Sequence, residues 1–223
     1  MKPLIVAIDG PAGAGKSTVA RALAARLGVA YIDTGAMYRA VGLAAKEHGM
    51  GLPLEDPQAV AELAAQSTIA LEPGPDGTRV SLDGRDVSDA IRQPEISLYA
   101  SAVSAIPGVR RSLVAQQQRL GRGSGGVLEG RDIGTRVFPE TPHKFFLTAN
   151  PRIRAERRTR ELAQRGTPRP FEEVLAEIEK RDKDDSTRAE SPLTLDSSYT
   201  VVDTSDRSIE EVLSELERRV RGI

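Results

Sequence analysis

Residues 10–17 read GPAGAGKS, the complete G-x-x-x-x-G-K-[ST] pattern of a phosphate-binding loop. Glycines in such a loop allow positive φ and let backbone N–H groups approach phosphate oxygens without a Cβ in the way. Lys16 is expected to reach the β- and γ-phosphates of a nucleoside triphosphate, and the Ser17 hydroxyl to bind Mg²⁺. With ATP as the expected nucleotide, the predicted donor-binding residues are Gly10, Pro11, Ala12, Gly13, Ala14, Gly15, Lys16, Ser17 and Thr18.

The residues around this loop fit the same interpretation. Leu4–Ile8 is a continuous apolar run typical of a strand buried on both faces, and Ser17–Leu27 reads as a helix that ends at Gly28. Helical patterns separate four further predicted strands, which are Ala30–Ile32, Gly126–Leu128, Lys144–Leu147 and Thr200–Val202. This alternation predicts an α/β fold with a P-loop-type parallel β-sheet flanked by helices.

Length and composition limit the possible partners. The 223 residues suit one domain, 1–223, and a formal net charge of −1 gives no global field that would recruit nucleic acid. Cysteine is absent, which is compatible with a reducing compartment. No signal-like segment and no apolar run of membrane-spanning length occurs, so we expect a cytoplasmic protein with no membrane partner.

Residues 67–92 interrupt the alternation of predicted strands and helices. Thr68–Leu71 and Arg79–Leu82 flank a turn-rich segment at 73–77, which predicts a small antiparallel hairpin, and a further turn and short strand follow at 83–87. Two interpretations remain open at this stage. The insertion could close over an acceptor substrate, or it could be only an exposed addition to the core.

Residues 151–188 form the most charged region. One predicted helix carries Arg152, Arg154, Arg157, Arg158, Arg160 and Arg165. A Gly/Pro-rich break at 166–170 separates it from an acidic helix. A solvated, salt-bridged surface would explain these charges, but a mobile lid at about 151–170 is favoured because phosphate transfer requires charge neutralisation. Residues 94–120 are predicted to form two helices parted at Pro107-Gly108.

Two further motifs narrow the class of phosphate-loop protein. The chain lacks the N-K-x-D and D-x-x-G elements of a GTPase switch. A motor ATPase would have an apolar strand that ends in adjacent acidic residues, and the single Glu129 after an apolar strand matches that pattern only weakly. Residues 33–39 read DTGAMYR, residues 129–135 read EGRDIGT, and Arg181, Asp185 and Arg188 follow. In these motifs, and in order along essentially the whole chain, the sequence closely resembles the bacterial cytidylate (CMP) kinases of the nucleoside monophosphate kinase family.

The resemblance implies a core, an inserted monophosphate-binding subdomain that fits residues 67–92, and a lid. It also implies roles for individual residues. Thr34, where family members often have Ser, would hold the acceptor α-phosphate with Arg39 and Arg131. Arg181 and Asp185 would approach the ribose, and the residues facing the cytosine would be Ser101, Arg110, Asp132 and Arg188. The catalytic residues would be Lys16, Arg131 and the lid residues Arg154, Arg157 and Arg158.

The chemistry of cytosine agrees with these implied roles. A carboxylate such as Asp132 can accept from the 4-amino group and an arginine can donate to the ring nitrogen, whereas uracil presents the opposite polarity. The implied reaction is transfer of the γ-phosphoryl group of MgATP to CMP or dCMP. Two alternatives remain: a kinase that accepts UMP as well or instead, and an ATP-dependent nucleic-acid-binding or switch module. We expect ATP and CMP or dCMP as the only partners of a monomer.

Overall fold

The computed structural model describes residues 3–74, 77–164, 166–188 and 190–222. The strands are β1 Ile5–Asp9, β2 Tyr31–Asp33, β3 Ile69–Gly74, β4 Gly77–Leu82, β5 Arg85–Asp86, β6 Gly126–Gly130, β7 His143–Thr148 and β8 Thr200–Asp203. The α-helices are α1 Lys16–Leu27, α2 Thr34–Glu47, α3 Pro57–Gln66, α4 Pro94–Ser104, α5 Pro107–Ser124, α6 Pro151–Gln164, α7 Phe171–Thr187 and α8 Ile209–Arg221.

A five-stranded parallel sheet forms the centre of the molecule, in the order β2-β6-β1-β7-β8. Val6, Ala7 and Ile8 of β1 are fully buried, as the continuous apolar run predicted for a strand covered on both faces. All five predicted core strands are present. β1 and β2 have the expected length but lie one residue further along the chain, and β6, β7 and β8 are one or two residues longer than expected. The predicted α/β fold with a P-loop-type parallel sheet is therefore confirmed.

Helices cover both faces of this sheet. On one face, α1 and α8 pack on β1 and β7 through an apolar cluster that includes Leu23 and Leu216. Ser208 caps α8 in a capping box with Glu211, which is a common way for a helix to begin. In the region 94–120 the two helices are separated at Ala105–Ile106, directly before the break predicted at Pro107-Gly108. Pro107 begins α5, because proline is favourable at the first position of a helix.

Residues 67–92 form a second, three-stranded antiparallel sheet in the order β3-β4-β5. Its inner face is buried, with Ile69, Val80 and Leu82 in the same apolar cluster as residues of α2, α4 and α5. The segment is thus packed onto the core and is not an exposed addition. The ladder pairs Gly74 with Gly77, so the strands extend into the segment predicted as a turn, and Pro75 and Asp76 of that turn lie outside the described residues.

The helices α6 and α7 pack against each other through a small apolar cluster of their own. Its members are Ala155, Leu162, Val174, Leu175 and Ile178, with Phe171 at the side. Arg165, which the sequence placed on the first of these helices, lies outside the described residues. In the part of the chain that the structure describes, no helix combines the length and apolar character needed to cross a bilayer.

Candidate active site

The phosphate loop leaves the carboxyl end of β1, between its neighbours β6 and β7, and leads directly into α1. Gly10 has φ of +146°, and a Cβ on it would lie 2.0 Å from the Leu147 carbonyl oxygen of β7. Gly13 has φ of +75°, and its Cβ would lie 3.1 Å from Cβ of Arg154. Gly10 and Gly13 of the loop thus lie at points where only glycine fits the turn and the close approach.

Lys16, the first residue of α1, is almost completely buried over its own loop. Its Nζ donates to the Pro11 carbonyl oxygen at 2.7 Å. Burial and the nearby positive charge of Arg131 hold the pKa of Lys16 well below its usual value, although Glu129 acts in the opposite direction. A negatively charged phosphate beside Lys16 would relieve this unfavourable environment, so the ammonium group suits an anion-binding role.

Glu129, at the end of β6, connects the phosphate loop to the neighbouring strand. Its carboxylate accepts from the Ser17 hydroxyl at 2.9 Å and from the Tyr31 hydroxyl. Burial and the negative charge of Asp33 raise the pKa of Glu129. The sequence offered one signal for Glu129, an acidic residue at the end of a buried strand, but it assigned no role to it.

The oxygen atoms at this position suit a hard divalent cation. Ser17 supplies a hydroxyl and Glu129 a carboxylate at hydrogen-bonding distance from it, which are the ligand types that Mg²⁺ prefers. The described residues contain no group of three His, Cys, Asp or Glu side chains able to hold a metal ion. This donor set fits Mg²⁺ that arrives with nucleotide phosphates, since Mg²⁺ in such sites takes only one or two protein ligands.

The acceptor side begins at α2, next to the same strand. Thr34 is buried in the first turn of α2 and its hydroxyl donates to the Glu129 carbonyl oxygen at 2.6 Å. Asp33 caps this helix by accepting from the Ala36 N–H at 2.9 Å. Arg39, one turn further along α2, is half-buried, and its positive charge contributes to lowering the pKa of Arg181. The structure therefore brings Thr34 and Arg39 to the edge of the sheet where β6 ends.

Three arginines surround the carboxylate of Asp185 on α7. Arg131 Nε donates to Asp185 Oδ2 at 2.8 Å, and Arg188 lies 3.4 Å from Oδ1. Burial would raise the pKa of Asp185, but the charges of Arg131 and Arg181 outweigh it and lower the pKa. Burial and the charge of Arg131 lower the pKa of Arg181 to about 10, and its Nε has no hydrogen-bond partner among the described residues. This cluster carries more positive than negative charge and is suited to phosphate.

A second buried ion pair lies beside this cluster. Arg110 of α5 pairs with Asp132, and both side chains are almost fully enclosed. Arg110 also lies over the Tyr38 ring at 5.4 Å, and burial raises the pKa of Tyr38 to about 12. Arg110 Nη1 donates at 3.2 Å to the carbonyl oxygen of Ser104, whose hydroxyl in turn donates to the Ser101 carbonyl oxygen.

Buried donors around this pair have no partner in the described part of the chain. They include Arg110 Nε and one terminal nitrogen of Arg188. Buried polar atoms are normally hydrogen-bonded, so donors left open in a cluster indicate the position of a polar ligand. Of the residues that the resemblance assigned to the base, Arg110, Asp132 and the carbonyl group of Ser101 are thus joined by contacts, and Arg188 lies close enough for its charge to interact with Arg110 and Asp132. Tyr38, which belongs to the DTGAMYR motif but was given no role, supports Arg110 through its ring.

The three predicted lid arginines have different surroundings. Arg154 is buried and makes three contacts, to the Ala149 carbonyl oxygen at 2.9 Å, to the Ala12 carbonyl oxygen at 3.0 Å and to Asp182 at 2.6 Å. It therefore connects the phosphate loop to α7. The role of Asp182 in this connection had no signal in the sequence.

Arg157 and Arg158 are held differently. Arg157 donates to the hydroxyl and carbonyl oxygens of Thr204, after β8, at 3.0 and 2.6 Å. Arg158 pairs at 3.0 Å with Glu161 on its own helix, and a third of its side chain is exposed. Of the three, only Arg154 contacts the phosphate loop directly.

Comparison with known proteins places this arrangement in a family. A family model described as "Cytidylate kinase" matches residues 6–221. A cytidylate kinase of Caldanaerobacter subterraneus subsp. tengcongensis is 51% identical over 97% of this chain and 94% of its own length. One of Solibacter usitatus is 47% identical over 99% of this chain and 94% of its own length.

Two further comparisons concern architecture. A bifunctional pantoate ligase/cytidylate kinase of Synechococcus sp. is 48% identical over the full chain, which spans 41% of that protein. The crystal structure of an uncharacterized protein from Eubacterium ventriosum superposes over the full length of both chains with a TM-score of 0.56 at 12% identity, which supports the fold alone. On the family match and the full-length relatives, the chain belongs to the cytidylate kinase family of ATP-dependent nucleoside monophosphate kinases.

Proposed function

We propose that this protein transfers the γ-phosphoryl group of ATP to the 5′-phosphate of CMP or dCMP, giving ADP and CDP or dCDP, in pyrimidine nucleotide metabolism. The observation that carries the proposal is the adjacency of two sites at one edge of the sheet. The phosphate loop follows β1, and the Arg131–Asp132 segment follows its neighbour β6, with Asp9 and Gly130 in register. Donor and acceptor phosphates bound at these two positions would face each other.

On the donor side, the loop backbone and Lys16 would hold the triphosphate at the N-terminus of α1. Ser17, with Glu129 beside it, would hold Mg²⁺. When bound with ATP, Mg²⁺ neutralises negative charge on the β- and γ-phosphates. The buried position of Lys16 beside the positive charge of Arg131, which lowers the pKa of Lys16, would be relieved by an anion and supports this placement.

On the acceptor side, Thr34, Arg39 and Arg131 would hold the monophosphate. Arg181 and Asp185 would approach the ribose. Asp132 would accept from the cytosine 4-amino group, and the unpartnered donors of Arg110 and Arg188 would face the ring acceptors, with Ser101 completing the site. Uracil would leave these buried groups with the wrong polarity, which disfavours it strongly.

The reaction needs no covalent intermediate and no strong general base, because an acceptor phosphate is already a nucleophile at neutral pH. Catalysis then consists of in-line positioning and charge neutralisation by Lys16 and Arg131. Closure of the lid at about 151–170, which contains α6, would exclude water and bring Arg154, Arg157 and Arg158 to the transferring phosphoryl group. The sheet at 67–92 would form the acceptor-binding subdomain.

Three properties stay predictions: the binding of Mg²⁺, the cytoplasmic location and the monomeric state. The function itself is tested by coupled ADP-release assays on the purified protein with CMP, dCMP, UMP, AMP and GMP as acceptors. We expect kcat/KM to be highest for CMP or dCMP. A preference for UMP over CMP would contradict the cytidylate assignment. Salt-sensitive binding to RNA or DNA without kinase activity would instead support the nucleic-acid module.

A further inference from the structure

Asp9 is the last residue of β1 and directly precedes the phosphate loop, yet its side chain faces the acceptor half of the site. The side chain is fully buried. Its Oδ1 accepts from the Ile133 N–H at 2.9 Å, and its Oδ2 accepts from the Gly134 N–H at 2.9 Å and from the Tyr199 hydroxyl at 2.7 Å. One carboxylate thus receives three donors, two of them from consecutive backbone amides.

The amides that Asp9 holds immediately follow the acceptor residues Arg131 and Asp132. They begin the π-helical turn Ile133–Val137. A Cβ on Gly134 would lie 2.7 Å from the Tyr199 hydroxyl oxygen, so the turn is pressed closely against the residues that surround Asp9. Tyr199 is itself fixed by an edge-to-face contact with Phe146 of β7, with 6.0 Å between ring centroids.

A fully buried carboxylate is costly unless several donors stabilise it. Burial raises the pKa of Asp9, and the amides of Gly134 and Ile133 and the hydroxyl of Tyr199 act against this. An apolar residue at this position would avoid the desolvation cost but would leave both amides without a partner. The arrangement therefore fixes the path of the chain just after Asp132, at the expense of burying a charge.

We propose that Asp9 is a positioning residue for the acceptor, whose carboxylate sets the orientation of Arg131 and Asp132 from the base of the phosphate loop. The inference rests on the proposed function, since it assigns the affected step to CMP binding. Asp9 would then be the physical connection that keeps the acceptor-reading segment in register with the donor loop.

The backbone of Asp9 does not depend on its carboxylate. In the sheet it is in register with Gly130 of β6 and with Phe146 of β7, so ladder hydrogen bonds on both sides hold it. Removal of the carboxylate should therefore loosen the Ile133–Gly134 backbone and leave the phosphate loop in place. This asymmetry separates a role toward the acceptor from general damage to the site.

The test compares Asp9→Asn and Tyr199→Phe with the wild-type protein in steady-state kinetics. In Asp9→Asn, the new amide group faces an N–H or O–H donor and cannot accept from it. We expect the KM for CMP to rise about tenfold or more, as loss of a charge-assisted hydrogen bond implies. The CMP-to-UMP ratio of kcat/KM should fall, while the KM for ATP changes less than about twofold. Tyr199→Phe removes one donor only and should shift the KM for CMP in the same direction by less.

Thr141→Val is the matched control. Thr141 is also buried, and its hydroxyl donates to the Ile5 carbonyl oxygen at 2.6 Å, at the opposite end of β1. The Thr141→Val variant loses a neutral hydrogen bond to β1 away from the site, so its KM for CMP should equal that of the wild type. Equal increases in the KM for ATP and CMP in Asp9→Asn, or no change in either, would overturn the proposal.

Amide hydrogen exchange gives a readout that does not depend on the substrate. The peptide covering 130–137 should exchange faster in Asp9→Asn than in the wild type or in Thr141→Val, and unchanged exchange would overturn the proposal. A wild-type protein inactive on CMP would contradict the proposed function. A wild-type enzyme active on CMP with an unaltered Asp9→Asn variant would contradict only the positioning role.

Discussion

The Ser17 hydroxyl donates to the Glu129 carboxylate at 2.9 Å, although 112 residues separate the two in the chain. The contact forms because β1 and β6 are parallel neighbours in register, so that the loops after both strands emerge at the same edge of the sheet. In the proposed function this edge carries the donor phosphates on one side and the acceptor phosphate on the other. Glu129 thus lies between the two halves of the site.

Glu129→Gln should raise the Mg²⁺ concentration needed for half-maximal activity. The change keeps the shape of the side chain and removes its charge, and loss of a supporting carboxylate typically weakens metal binding about 10- to 100-fold. The free energy of unfolding should not fall, because the variant no longer buries a carboxylate whose ionisation burial disfavours. Initial rates across a Mg²⁺ titration and urea unfolding check both points, with the exposed Glu140→Gln as control. An unchanged Mg²⁺ dependence would remove Glu129 from the metal site.

Asp132→Asn should reduce the discrimination between CMP and UMP. The carboxylate is the predicted acceptor for the cytosine amino group, so its loss should lower the CMP-to-UMP ratio of kcat/KM by about tenfold or more. Using a ratio cancels any loss of folded protein that follows from leaving Arg110 without its partner. The CMP-to-dCMP ratio is the internal control and should stay the same, because Asp132 is predicted to contact the base and not the sugar. A constant CMP-to-UMP ratio would exclude Asp132 from base recognition.

Asp185→Asn should destabilise the protein in a pH-dependent manner. Asp185 has a lowered pKa in the folded protein relative to its ordinary value of 3.8. Its ionised form therefore stabilises the fold above that value, and the contribution disappears as pH falls through the folded-state pKa. At pH 7 the variant leaves Arg131 and Arg188 without their carboxylate, so its free energy of unfolding should be lower by roughly 3–5 kcal/mol.

Urea unfolding of both proteins between pH 7 and pH 3 measures this difference. The gap between wild type and Asp185→Asn should be largest near neutrality and should shrink below about pH 4. Asp184→Asn, one residue away and exposed in a pair with Lys180, should show little change at any pH. A gap that stays constant down to pH 3 would mean that Asp185 acts through something other than its charge.

Arg154→Met and Arg158→Met should affect different properties. Arg154 is buried on carbonyl oxygens of Ala12 and Ala149 and on Asp182, so its loss should lower Tm and raise the KM for ATP. Arg158 pairs within its own helix and is partly exposed, so its loss should leave Tm nearly unchanged. In a closed lid its cation would approach the transferring phosphoryl group, and kcat should fall about tenfold or more.

Thermal unfolding and initial rates distinguish the two variants. Full kcat in Arg158→Met would remove Arg158 from the catalytic set. A fall in kcat alone for Arg154→Met, at an unchanged Tm, would place Arg154 at the transferring group and not in the connection between α7 and the phosphate loop.

The sequence predicted those parts of the fold that depend on local patterns. The apolar run at Leu4–Ile8 and the glycines of residues 10–17 each carry their own signal, and the strand and the loop they predict are present, the strand one residue further along. The break predicted at Pro107-Gly108 lies just before Pro107 instead, because a proline begins a helix as readily as it interrupts one.

Contacts that depend on the order of strands could not be predicted in this way. No local pattern states that β6 lies between β2 and β1, so the link from Tyr31 through Glu129 to Ser17 had no signal. The same holds for Asp9, whose partners lie 124 and 125 residues away along the chain. The roles of Arg131, Asp132 and Asp185 came from resemblance to a family, and the structure adds the ion pairs in which they take part.

Transfer of label from ATP carrying ³²P in its γ-phosphate to CMP tests the central claim most directly. Wild-type protein with Mg²⁺ should convert CMP into CDP labelled in the β-phosphate, in amounts equal to the ADP formed. Lys16→Met should keep its fold, because it removes a buried cation, but its turnover should fall roughly 100- to 1,000-fold. Hydrolysis of ATP to inorganic phosphate without labelled CDP, or substantial transfer by Lys16→Met, would contradict the account.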